Sequence, residues 1–213
     1  MKKILVVVDM QNDFIDGPLG TPEARAIVDN VCTKIREGEW DLVYVTMDTH
    51  DENYLETPEG KKLPVEHCIE NTEGWYLNEK IEKVTKSVKR KTIFKHAFGS
   101  WELIDHIMQE NIQYHIDHKK RMVMEYTLIG VCTDICVISN ALLLKAHYPE
   151  MRIVVDASCC AGTTPEKHRM ALEVMKSCQV DVVNEPKKWP LSPLLDKSDT
   201  SDDESDWFEF DRM

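Results

Sequence analysis

Residues 122–139 read MVMEYTLIGVCTDICVIS: a largely apolar run over 122–130, a turn holding two cysteines and an aspartate, then a return to apolar residues. The run has the length and hydrophobicity of a strand buried on both faces, and residues 133–147 have the pattern of a helix. A buried strand that feeds a helix through a polar turn is the unit of a parallel α/β sheet. The turn poses its own choice. Cys132, Asp134 and Cys136 suit a metal site, a disulfide pair, or a nucleophile held at a strand-to-helix turn.

The same unit recurs along the chain. KILVVV (3–8) is a strand-length apolar run, and a helix over 21–37 opens with Thr21-Pro22-Glu23 and ends at Gly38. DLVYVTM (41–47) is the second strand. An irregular stretch from Asp48 to Gly74 precedes a helix over 75–86, and KTIFK (91–95) is the third strand. A helix over 99–114 leads to the opening stretch as the fourth strand. MRIVVDAS (151–158) is the fifth, Thr164-Pro165-Glu166 opens a helix to 178, and VDVV (180–183) is the sixth. With right-handed crossovers this predicts a doubly wound, mostly parallel six-stranded α/β sheet with helices on both faces. There is no internal repeat.

One domain is expected over 1–190 and an acidic tail over 191–213. The tail holds eight acids against Lys197 and Arg212, six of the chain's twelve net negative charges. That composition favours a solvated segment, although Trp207, Phe208 and Phe210 are unusual in one and suit docking on the domain or a neighbouring subunit. With 42% apolar and 30% charged residues in 213, the rest is globular. A net charge of −12 argues against nucleic acid or an anionic membrane as partner. The apolar start MKKILVVV stops at Asp9, too short for a signal peptide or a membrane span. A cytoplasmic location is therefore expected, with the seven cysteines as free thiols. That weakens the disulfide reading of the turn, and a zinc reading lacks a second cysteine pair.

Parallel sheets of this kind bind ligands beyond the carboxyl ends of their strands. Asp9, Asp48, Lys95 and Gly130-Val131-Cys132 sit at four such ends. Taken singly, an aspartate there is a turn or cap residue and a lysine is solvated. Together they make a site. Cys136 falls in the first turn of the following helix, where amide groups and a nearby Lys95 should ease its ionisation. Asp9 can take the thiol proton and return it to a departing amine. The amides of Cys132 and Cys136 can hold an oxyanion, while Asp134 reads as a helix cap or as the partner of a neighbouring backbone amide. Asp48-x-His50 with His67 forms an Asp-His-His set suited to a divalent metal.

The segments ILVVVDMQNDF (4–14), VTMDTHD (45–51), LPVEHC (63–68), IFKHAFGS (93–100) and GVCTDICV (130–137) resemble the ordered signatures of the isochorismatase-like cysteine hydrolases. Within them the chain is most similar to nicotinamidases and nicotinamidase-related amidases, over about residues 3–185. The resemblance implies a catalytic set of Asp9, Lys95 and Cys136, and a cis peptide at Val131–Cys132 before the first oxyanion amide. It implies metal ligation by Asp48, His50 and His67 of zinc, manganese or iron, with Glu56 or Glu59 as a further ligand. It implies a substrate pocket touching Phe14, with Trp75 and Phe98 as further candidates, and a homo-oligomer, dimer or tetramer. The chain departs from the family pattern at Cys132, where alanine is common, at Thr49, where tryptophan is common, and at Pro64-Val65-Glu66, where an aromatic is replaced.

These readings imply hydrolysis of nicotinamide to nicotinate and ammonia through a thioester on Cys136, with the ion orienting the ring and the deacylating water. Hydrolysis of a carbamoyl, ureido or other small amide is the alternative. A non-catalytic binding or scaffold protein that has kept the pocket is the third.

Overall fold

The computed structural model describes residues 1–119 and 123–186. The expected tail, with Trp207, Phe208 and Phe210, lies outside the described residues. Six strands alternate with helices: β1 (Lys2–Val8), α1 (Asn12–Ile15), α2 (Pro22–Glu37), β2 (Leu42–Asp48), α3 (Glu79–Thr85), β3 (Arg90–Lys95), α4 (Trp101–His118), β4 (Met124–Val131), α5 (Ile138–His147), β5 (Arg152–Ala161), α6 (Pro165–Ser177) and β6 (Asp181–Val183). All pairings are parallel, in the order β3-β2-β1-β4-β5-β6. This is the doubly wound sheet expected.

Alternation along β1 shows how the core divides. Ile4, Val6 and Val8 join one apolar cluster with residues of α4, α5 and α6. Leu5 and Val7 join another with residues of α2 and α3. Each fully buried aliphatic side chain contributes roughly 1.5–3 kcal/mol, so the unbroken central strands are what both layers rest on. Helix starts follow the sequence: Thr21 and Thr164 cap α2 and α6 through their hydroxyls, each ahead of a proline.

Local departures occur, among them α3, which begins at Glu79 rather than at 75, and β5, which runs on to Ala161. The helix expected over 133–147 begins as a π-helical turn, Thr133–Val137, and becomes α-helical only at Ile138. α4 runs to His118, four residues beyond expectation, and ends on Lys119 in a left-handed conformation (φ 55°). A single helical turn, α1, follows β1 where none was expected.

Strand order reverses between β1 and β4, whose neighbours on the far sides are β2 and β5. The crevice beyond the carboxyl ends of β1 and β4 is where such folds bind ligands. Asp9 leaves β1 there, and Gly130-Val131-Cys132 leaves β4 beside it, since Val8 pairs with Gly130. Gly130 has φ 120°, and a Cβ on it would lie 2.1 Å from the Val8 carbonyl oxygen, so no side chain fits this crossing point.

Candidate active site

The structure draws the strand-end residues into one buried cluster. Asp48 and Lys95 are direct partners in the β2–β3 register, and their side chains lean toward β1. Lys95 is fully buried, with Nζ 2.8 Å from Asp9 Oδ2, 2.7 Å from Asp48 Oδ1 and 3.5 Å from Cys136 Sγ. One ammonium thus touches an acid from β1, an acid from β2 and a thiol from the turn after β4. The Val131–Cys132 peptide is cis, as the resemblance implied.

Charge states follow from burial and neighbours. Burial works against the Lys95 cation, but Asp9, Cys136 and Asp48 outweigh it and hold the amine charged far above the ordinary lysine range. Burial likewise opposes ionised Asp48, yet contacts with His50, His67 and Lys95 keep its carboxyl below the usual range. For Asp9 the balance differs. Burial and the Asp48 charge exceed the relief from Lys95 and Thr46, so its carboxyl pKa is raised. Asp9 is the acid of this cluster able to accept a proton.

Cys136 runs against expectation. It was expected to ionise readily, but burial first and then Asp9 raise its thiol pKa well above the free value, more than Lys95 lowers it. The turn is also π-helical rather than an α-helix start, so the helix-end argument does not apply in its simple form. Burial therefore makes this thiol hold its proton more tightly than a free cysteine does.

His67 Nδ1 sits 2.8 Å from the Val65 carbonyl oxygen, so the Nδ1–H tautomer donates there and leaves Nε2 with its lone pair. His50 Nε2 and His67 Nε2 converge on Asp48 Oδ2, at 3.1 Å and 3.7 Å. The three ligand atoms lie within 4.8 Å of one another, which fits a single divalent ion. Two imidazole nitrogens and a carboxylate suit zinc, manganese or iron. Glu59 Oε1 lies 3.9 Å from His50 Nε2, whereas Glu56 is exposed. Of the two glutamates, Glu59 is the one beside the set.

Phe14 is buried with its ring edge-on to His67, centroids 5.5 Å apart, which places it against the metal set. Trp75 is buried too, but its ring stacks on Phe94 and its Nε1 donates to Thr49 Oγ1 at 2.9 Å. It braces the segment after β2. Phe98 is exposed, and its carbonyl accepts from Asn140. Asp134 accepts from the amide and hydroxyl of Thr163 and so ties the π-helical turn to the end of β5 rather than capping its own helix. All seven cysteines are free.

Several supporting residues escaped the sequence reading. Gln11 is fully buried, donates to the Asp48 and Trp75 carbonyls, and accepts from the Asp48 amide. Tyr54 is fully buried against both metal-set histidines, with centroids 4.7 Å and 4.9 Å away. Asn140 donates to the Cys136 carbonyl and accepts from the Ser100 amide, joining the thiol turn to the segment after Lys95. Thr46 donates to Asp9. The available signal was a polar residue inside an apolar run, as at Thr46 in VYVTM. A cavity of about 590 Å³ opens elsewhere, past Lys3, Glu125 and Arg152 at the amino ends of the strands, and none of the strand-end residues lines it.

The isochorismatase domain model matches residues 3–185, and the chain belongs to that family. Three solved structures are similar over their full length. A nicotinamidase/pyrazinamidase from Bacillus subtilis is 28% identical, with 86% of this chain covered and a TM-score of 0.67. A pyrazinamidase of Pyrococcus horikoshii in complex with zinc is 26% identical, with 87% covered and a TM-score of 0.65. An N-carbamoylsarcosine amidase from Thermoplasma acidophilum is 26% identical, with 88% covered and a TM-score of 0.63.

Proposed function

We propose that the chain is a cysteine-dependent amidase that hydrolyses nicotinamide to nicotinate and ammonia. The observation that carries this is the single buried ammonium of Lys95 in contact with Asp9, Asp48 and Cys136. Asp9 takes the thiol proton, and the sulfur anion attacks the amide carbonyl. The amides of Cys132 and Cys136 hold the oxyanion. Asp9 then protonates the leaving nitrogen as the C–N bond breaks, and ammonia departs from a thioester. Water, giving its proton to Asp9, attacks that thioester and releases the acid, and the proton returns to sulfur. Lys95 keeps the acid and the sulfur in register throughout.

Asp48, His50 and His67, with Glu59 alongside, would hold a divalent ion, zinc by preference, which supplies a Lewis acid for the pyridine nitrogen. Phe14 would pack against the ring. A nicotinamidase/pyrazinamidase among the structural relatives supports this reading, and a pyrazinamidase bound to zinc supports the ion.

A second reading keeps the chemistry and changes the substrate to a carbamoyl compound, supported by the N-carbamoylsarcosine amidase likeness. Ammonia release from nicotinamide, benzamide and N-carbamoylsarcosine separates the two. Nicotinamide is expected to exceed benzamide in kcat/KM by about 10²-fold or more, because a site built to engage a polar atom rejects an analogue lacking it. Turnover of the carbamoyl compound with none of nicotinamide would replace the first reading by the second.

The ion makes its own prediction. The purified protein should carry about one equivalent of zinc, manganese or iron by elemental analysis, on the one-ion ligand count usual for such sets. His67→Ala should lower that occupancy at least tenfold and raise KM for nicotinamide. Full occupancy in His67→Ala, or a wild-type protein indifferent to exhaustive chelation, would remove the ion from the site.

A further inference from the structure

Thr46 lies in the middle of β2, whose seven residues are all buried, and is itself fully buried. Valine has nearly the same shape, and a buried hydroxyl costs free energy unless it is bonded. The hydroxyl here is bonded to one group: it donates to Asp9 Oδ1 at 2.6 Å. The Thr46 carbonyl also accepts the Asp9 amide at 3.2 Å. This double contact arises because Val8, the last residue of β1, pairs with Thr46 across the parallel ladder. Asp9 has reason to be held. Its φ is 51°, in the left-handed region that residues with a Cβ rarely occupy.

The consequence falls on the other carboxyl oxygen. Asp9 Oδ2 is buried and has Lys95 Nζ at 2.8 Å, but among the described residues no side chain gives it a well-directed hydrogen bond. The same ammonium lies 3.5 Å from Cys136 Sγ. We propose that Thr46 is a positioning residue for proton transfer, occupying Oδ1 so that Oδ2 is the oxygen that exchanges the proton with Cys136. The S–H bond breaks, the proton bonds to Oδ2, and the electron pair stays on sulfur. When the C–N bond of the tetrahedral adduct breaks, the Oδ2 proton moves to the departing nitrogen and Asp9 is again a carboxylate.

This inference rests on the reading of Cys136 as nucleophile, and the experiment separates the two. Thr46→Val, Thr46→Ser and Cys136→Ala are made in the full chain, with Thr46→Ala as a second hydroxyl deletion should the valine variant not fold. The Thr46 variants are assayed for kcat, KM and the rate of Cys136 alkylation by iodoacetamide, and Cys136→Ala for kcat. Thr46→Val is expected to lower kcat and the alkylation rate by about 10–100-fold, the scale of a misplaced catalytic group. KM should stay within about twofold, and Thr46→Ser should restore most of the rate, since it returns the hydroxyl alone. Full activity in Thr46→Val beside an inactive Cys136→Ala overturns the inference and spares the nucleophile. Equal losses in Thr46→Val and Thr46→Ser assign the effect to packing and overturn it as well. An active Cys136→Ala instead ends the nucleophile reading beneath it.

Discussion

Cys136→Ala is expected to leave a folded protein whose amide turnover is lower by about 10⁴-fold or more, the scale seen when covalent hydrolases lose their nucleophile. No neighbour can substitute. Burial raises the Cys132 and Cys68 thiols as it does that of Cys136, so position and not acidity separates them. Neither is in contact with Lys95, whereas Cys136 Sγ is 3.5 Å from its ammonium. The substitution removes one sulfur from a buried position, so stability should fall by no more than about 1–2 kcal/mol. Asp48, His50 and His67 are untouched, and ion content should match that of the parent. Ammonia release, circular dichroism and elemental analysis of one preparation check all three. Turnover above about a tenth of the parent, in a protein that has kept its fold, would end covalent catalysis by this sulfur and revive a non-catalytic or directly hydrolytic site.

How far the sequence carried this picture depended on how local each cause was. Apolar strand runs such as KILVVV and MRIVVDAS are local, and they sit in the sheet within a residue or a few of where they were expected. The strand ends Asp9, Asp48 and Lys95 were legible because doubly wound sheets place sites at that rim. The π-helical turn at Thr133–Val137 was not, since an apolar pattern cannot separate an i+5 hydrogen-bond step from an i+4 step over five residues. The four extra residues of α4 are mostly polar, and the apolar periodicity used to bound the helix fades there. Gln11 bonds Asp48 and Trp75 across 37 and 64 positions, so its role exists only once three segments have met. The Cys136 thiol shows the same limit in sign. The contact with Lys95 favours the anion, but burial and the Asp9 charge outweigh it, and all three arise only on assembly, Lys95 itself lying 41 positions away.

Lys95→Met should cost more stability than any other single change in the cluster. The lysine is fully buried between two carboxylates, at 2.8 Å and 2.7 Å. Methionine keeps the stem volume and deletes the charge, leaving Asp9 and Asp48 buried side by side with no cation between them. Removing one partner of a buried pair typically costs about 3–5 kcal/mol. At about 2–4 °C per kcal/mol for a domain of this size, Tm should drop by about 6–20 °C. The pH dependence has a definite sign. The folded-state pKa of Lys95 is raised, so its stabilising contribution is fully present at neutral pH and would be lost only as pH rose through that elevated value. In the variant Asp9 loses its counter-charge and its folded-state pKa rises further, while Asp48 keeps His50 and His67 and its pKa rises less, so folding takes up protons, chiefly at Asp9, as pH falls. The gap in Tm between Lys95→Met and the parent should therefore narrow from pH 8 to pH 5. Adding Asp9→Asn to Lys95→Met should recover part of the loss, because one of the two stranded charges is gone. Equal melting of variant and parent at neutral pH, or a gap that widens on acidification, would mean that this ammonium does not neutralise the two acids.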